Sequence, residues 1–140
     1  MKYALYVSAL LVALALPSAV YAQQDPCALA AKKSSMFGLN AGGLQQVIAG
    51  ATNKRIFVCN VVFSGNATSG GFNINFAGSP SGCTSDFTFL GTLTPNNNAV
   101  VSAGGGGSTQ FTLRPSHSFC IGLGGSGTLY SSGWVVYVQQ

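Results

Sequence analysis

Between Gln23 and Gln140, apolar residues recur at every second position, and turn-forming residues interrupt them at short intervals. Alternation of period two marks strands with one buried face; no stretch here sustains the helical period. The clearest strand is predicted over residues 55–64, where Ile56, Phe57, Val58, Cys59, Val61, Val62 and Phe63 leave only Asn60 polar. A strand apolar on both faces belongs in the middle of a sheet. Residues 71–77 alternate cleanly, with Phe72, Ile74 and Phe76 on one side and Asn73 and Asn75 on the other.

Further strands are predicted over 86–94, 99–103, 109–114, 118–123 and 133–140, with edge strands over 35–39 and 44–49. In 86–94, Phe87, Phe89, Gly91 and Leu93 form one alternating set. Phe111 and Leu113 are expected to point inward, and Trp134, Val136 and Val138 oppose Val135 and Tyr137. Residues 28–33 have helix propensity but are too few to hold a helix alone. About eight strands at this spacing predict an all-β fold, an antiparallel β-sandwich with jelly-roll topology.

Four cysteines, Cys27, Cys59, Cys83 and Cys120, are expected to staple that sandwich as two disulfides. Three pairings are open to them. If the strands over 55–64 and 118–123 are sheet neighbours, Cys59 meets Cys120 and Cys27 clips to Cys83. Each bridge would contribute ~2–4 kcal/mol by restricting the unfolded chain. Such help matters in a chain with 19 glycines, because each one loses much conformational freedom on folding.

The beginning of the chain changes the picture of where it works. Lys2 precedes an uncharged apolar run over residues 3–16, Pro17 breaks it, and Val20-Tyr21-Ala22 supplies small residues for a signal peptidase. This is the pattern of a secretory signal peptide, residues 1–22, cleaved after Ala22. The run is shorter than the ~20 residues a spanning helix needs. Gln23-Gln24-Asp25-Pro26 separates the cleavage point from Cys27, which argues against lipidation. The expected organisation is an arm over 23–43 and a sandwich domain over 44–140. The expected location is periplasmic or secreted, with no stable membrane insertion.

Composition excludes several chemistries. The chain has no glutamate, and its two acids are Asp25 and Asp86. Removing Lys2 with the signal takes the net charge from +4 to +3, carried by Lys32, Lys33, Lys54, Arg55 and Arg114. These form two dipeptides and a lone arginine rather than a basic face, so nucleic acid is not an expected partner. Two carboxylates, one in the arm and one at a strand start, do not make a general acid/base pair. His117 lies in a turn, Arg114-Pro115-Ser116-His117, and no Gly-x-Ser-x-Gly elbow accompanies it. One histidine and oxidised cysteines leave no zinc ligand set, and residues 96–98 lack the charge for calcium. Residues 104–107 carry no Lys-Ser/Thr and no following helix, so they are not a phosphate loop. No catalytic residue, metal or cofactor is implied. Asn66-Ala67-Thr68 matches a glycosylation acceptor, relevant only in a eukaryotic secretory pathway.

Binding surfaces remain. Trp134, Tyr130 and Tyr137 could stack on sugar rings, with Asn60, Asn73 and Asn75 supplying hydrogen bonds. The competing expectation, which buried aromatics in sandwich cores favour, is that Trp134 plugs the space between the sheets.

Lys54-Arg55-Ile56-Phe57-Val58-Cys59, Leu90-Gly91-Thr92-Leu93 and Phe119-Cys120-Ile121, with Asp25-Pro26-Cys27 and Lys33-Ser34-Ser35, carry a resemblance. They resemble uncharacterised small exported bacterial proteins that share an "I-Y-V-C" strand, a "C…L-T-G" segment and a late "L-C" strand. This chain departs from that pattern at Leu90-Gly91-Thr92. A weaker, architectural likeness is to jelly-roll modules of phage virions and tail fibres. The resemblance implies an exported all-β domain with two disulfides and carries over no functional residue. The expected function is therefore a non-enzymatic surface interaction or structural module. A carbohydrate-binding module and a pilin-like or virion-type assembly subunit are the alternatives. The partner, whether cell-surface, glycan or protein, and self-association stay open.

Overall fold

The computed structural model describes residues 25–40, 43–68, 72–96, 98–105, 107–125 and 128–140. The expected export signal, residues 1–22, lies outside the described residues. After a one-turn helix, α1 (Pro26–Leu29), come β1 (Lys33–Leu39), β2 (Gly43–Ile48), β3 (Ile56–Ala67), β4 (Phe72–Ser79) and β5 (Thr88–Leu93). The chain continues through β6 (Val100–Gly104), β7 (Phe111–Thr112), β8 (Ser118–Gly125) and β9 (Leu129–Gln139). The sandwich thus begins at Lys33, inside the segment expected as an arm, because β1 pairs along its length with β9.

Two antiparallel sheets result. The first runs β1-β9-β3-β6, with β7 also on β3, and the second runs β2-β8-β4-β5. Leaving β7 aside, the chain crosses from one sheet to the other at every step except β4 to β5, and with these strand orders this is jelly-roll wiring. The central strand β3 behaves as its two-faced apolar pattern requires, flanked by β9 on one side and by β6 and β7 on the other. Inward side chains from both sheets meet in a cluster of rings. Phe76 lies 6.1 Å from Phe119, 5.3 Å from Phe111 and 6.4 Å from Phe63. Each such ring stabilises the fold by about 1.5–3 kcal/mol through burial.

The wiring corrects the expected disulfides. β3 and β8 lie in different sheets, so Cys59 and Cys120 cannot be bridged as neighbours. Cys27 pairs with Cys59, and Cys83 with Cys120. Neither bridge joins the sheets. The first ties the N-terminal segment to the outer face of the first sheet, where Cys27, Cys59 and Val138 form a cluster with Ala30, Phe57 and Val136. The second ties the loop after β4 to the outer face of the second sheet, beside Ala77 and Leu44.

Two bulges explain where alternation misleads. In β3, Val58 pairs with Tyr137 and Asn60 with Val136, so Cys59 is an extra residue. That shift leaves Val58 and Val61 inward and frees Cys59 for the arm. Opposite it Gly104 sits at φ +115°, where a Cβ would lie 2.6 Å from the Cys59 carbonyl oxygen, so only glycine fits. In β5, Phe76 pairs with Gly91 and Ala77 with Phe89, which makes Leu90 the extra residue. Phe89 therefore faces outward while Leu90 and Leu93 pack on the core, against the expectation of one alternating set. The strand expected over 109–114 contracts to β7, although Phe111 and Leu113 do point into the core.

Candidate binding face

The outer face of the first sheet is built from strand register. Met36 pairs with Trp134 and Trp134 with Val62, so three apolar side chains form a row across β1, β9 and β3. The next row brings Gly38, Ser132, Ser64 and Val100 together, and the row beyond it sets Tyr130 beside Asn66. Tyr130, Ser132 and Trp134 share a face because their numbers share parity.

These side chains are open to solvent. Met36 is 87 % exposed, Val100 74 %, Tyr130 51 % and Trp134 47 %. The expectation that Trp134 fills the core is corrected, because Val135 and Tyr137 turn toward the core from β9 instead. With Gly133 between them and its Cβ position 2.1 Å from the Val62 carbonyl oxygen, β9 lies close against β3. A side chain at 133 would push the strands apart.

Two depressions open on this face. One of about 400 Å³ is walled by Met36, Val62 and Trp134, and the other, of about 550 Å³, by Asn40, Asn66, Asn98 and Tyr130. They share Ser64, Val100 and Ser132, so together they form one trough. No residue lining either depression is charged.

The sheet face changes character at the far end. There Phe57, Val136 and Val138 lie under the N-terminal segment. Asp25 accepts from the Cys27 N–H at 2.9 Å and the Thr109 N–H at 2.6 Å, and also from the Thr109 hydroxyl. These bonds, the Thr109 hydroxyl foremost, hold the Asp25 carboxyl below the usual carboxylate range. Pro26 sits at the first helical position, where its missing N–H costs nothing.

Of the six side chains expected to contact a ligand, the structure brings Trp134, Tyr130 and Asn60 to one face. Tyr137 packs against the core. Asn73 and Asn75 lie on β4 in the other sheet, where Asn75 donates to Asn73 at 3.2 Å and accepts from Thr92 at 2.8 Å. Asn60 shares the face of Trp134 and accepts from Ser102 at 2.9 Å. Met36, Val62, Val100 and the serines were missed. The parity of 130, 132 and 134 on one strand was the available signal for Ser132.

The other sheet carries a smaller apolar opening of about 330 Å³, walled by Leu44, Asn75, Phe87 and Phe89. The Phe87 and Phe89 rings meet edge to face at 5.5 Å. His117 Nδ1 lies 3.0 Å from the Pro115 carbonyl, and Asp86 accepts from Ser85 at 3.4 Å, so each has a local partner. Among the described residues, no three His, Cys, Asp or Glu side chains form a group that could hold a metal, and no helix is long and apolar enough to cross a membrane.

No protein-family model matches the chain, and no curated protein matches it. Among solved structures it is similar to a chain from Bacillus endospore appendages, described as a novel family of disulfide-linked pili. The identity is 13 % and the TM-score 0.48, over 78 % of this chain and 85 % of that one.

Proposed function

We propose that this protein is a non-enzymatic module of the periplasm or cell exterior that works by surface contact through the outer face of its first sheet. The carrying observation is the row Met36–Trp134–Val62 with Val100, apolar side chains left open on a fold that covers the other end of the same face. Exposed apolar patches of this kind mark interaction sites. Two disulfides support an oxidising compartment. A disulfide-clipped frame presents the patch rigidly, so little ordering is needed on contact.

The test is retention of the purified mature protein on cell envelopes from its source. Retention is expected for the wild type and loss for M36S/W134S. Equal retention of both proteins would remove the face from consideration.

A second reading, an assembly subunit, is favoured by Phe87 and Phe89 on the opposite sheet. Apolar patches on two different faces allow head-to-tail contact, which forms open filaments unless it closes into a ring. It predicts concentration-dependent growth in sedimentation that F87S/F89S abolishes.

A further inference from the structure

We infer that the open trough binds a neutral oligosaccharide chain laid along β9, with Trp134 and Tyr130 as its two stacking platforms. This deepens the surface-contact reading and rests on it.

The argument starts from charge. Neither depression has a charged side chain in its wall. The nearest basic residue of β1, Lys33, pairs with Tyr137 at the covered end of the face. A phosphate, a nucleic acid or an acidic peptide would find no counter-charge here. The ligand that fits is uncharged.

Polarity narrows the class. Ser64, Ser132, Asn66 and Asn98 sit between and beside the aromatic side chains. A lipid chain or an apolar protein surface laid over them would take hydroxyl and amide groups out of water without replacing their hydrogen bonds. A pyranose ring has an apolar C–H face for an aromatic and a rim of hydroxyls for serines and amides. It satisfies both kinds of group at once.

Spacing sets the length. Tyr130 and Trp134 are four residues apart on one strand, about 13 Å at the usual strand rise. That distance exceeds a single sugar ring, so engaging both platforms takes a chain. Both depressions open to solvent, and an internal stretch of polysaccharide can therefore enter sideways.

The experiment is affinity electrophoresis and titration calorimetry of the oxidised mature protein against cello-, xylo-, manno- and chitohexaose. At least one is expected to bind. The affinity should fall about tenfold or more in W134A, equivalent to about 1.4 kcal/mol, and less in Y130A. W134F should recover part of it, and F89A, on the other sheet, should bind as wild type. Shortening the sugar to a single ring should lose most of the affinity. Near-ultraviolet circular dichroism of Y130A and F89A checks that the frame is intact.

Binding by none of the four, or equal binding by W134A, overturns the proposal. Envelope retention separates the two levels. If no sugar binds yet M36S/W134S still loses retention, the face is a contact surface for something else, and a second copy is then read by sedimentation. If that variant also keeps its retention, both readings fail.

Discussion

The two halves of the first sheet's outer surface both present large apolar side chains, and these meet opposite fates. One half presents Phe57, Val136 and Val138, and the N-terminal segment lies over it, locked by Cys27–Cys59. The other presents Met36, Val62, Val100 and Trp134, and these stay largely open. The fold thus has the means to cover apolar sheet surface and uses it at only one end. What the contrast teaches is that the bare half is not a lapse of packing. A jelly roll closes its core with the inward faces alone, so outward apolar residues need a separate explanation. The arm supplies one for the first half, and contact with a ligand or partner supplies it for the second.

Opening the covered half breaks the comparison most severely. The Cys27–Cys59 bridge closes a loop with a sequence separation of 32. In the chain-entropy account, losing it costs about 4 kcal/mol. C27S/C59S should therefore unfold at clearly lower urea, with a somewhat steeper dependence on denaturant because the unfolded chain is less compact without the bridge. Its covered half should also bind a hydrophobic dye that the wild type does not. An unshifted midpoint would show that the arm is held by packing alone.

Single residues sharpen the contrast at smaller cost. Val138 is 3 % exposed under the arm, and V138A should destabilise by about 2 kcal/mol from lost burial and the cavity left behind. Val100, on the same sheet, is 74 % exposed, and V100A should stay within about 0.5 kcal/mol of wild type. Chemical denaturation of the two variants side by side measures the difference. If V100A cost as much as V138A, the trough would be part of the stability of the fold rather than a free surface.

This comparison also shows why the sequence revealed the architecture and concealed the site. Strand positions were legible because Phe72, Ile74 and Phe76 alternate with asparagines. The wiring was legible as a class, since short strands with turn residues between them have few stable arrangements. On β9 the alternation failed as a guide, because Trp134, Val136 and Val138 are as apolar as Val135 and Tyr137. The face of Trp134 was expected to be the inward one, and the structure reverses it. That face is covered for only half its length, by an arm whose docking depends on Cys59, the extra residue of a bulge. A bulge moves a side chain to the other face without any change in composition, and so leaves no periodic trace. Leu90 did the same to Phe89. The disulfide pairing went astray for a topological reason: β3 and β8, though each carries a cysteine within the strand, stand in opposite sheets.

The gentlest intervention is on the latch beside the covered half. Asp25 holds the arm through its bonds to Thr109 and Cys27, and those bonds favour the ionised carboxyl, which is why it titrates below the usual range. In the unfolded chain Asp25 titrates near ~3.9. A depressed folded value means the folded state binds a proton less readily than the unfolded state does. The contribution to stability is therefore fully present above the unfolded value and is lost as pH falls through the folded one. Asp25 is at the surface, so the effect is small. Melting temperatures from pH 6 down to pH 2 should fall less steeply in D25N than in wild type, because the wild type starts higher and the gap between the two curves closes only on the acid side of that unfolded value. T109A should flatten the same limb in part: the hydroxyl bond, the largest cause, goes, while the backbone bond from residue 109 stays. Parallel curves for wild type and D25N across the whole range would mean that the arm owes its place to the disulfide and to Phe57, Val136 and Val138. The border between the covered and open halves would then be drawn by sulfur and packing, with no share for the carboxylate.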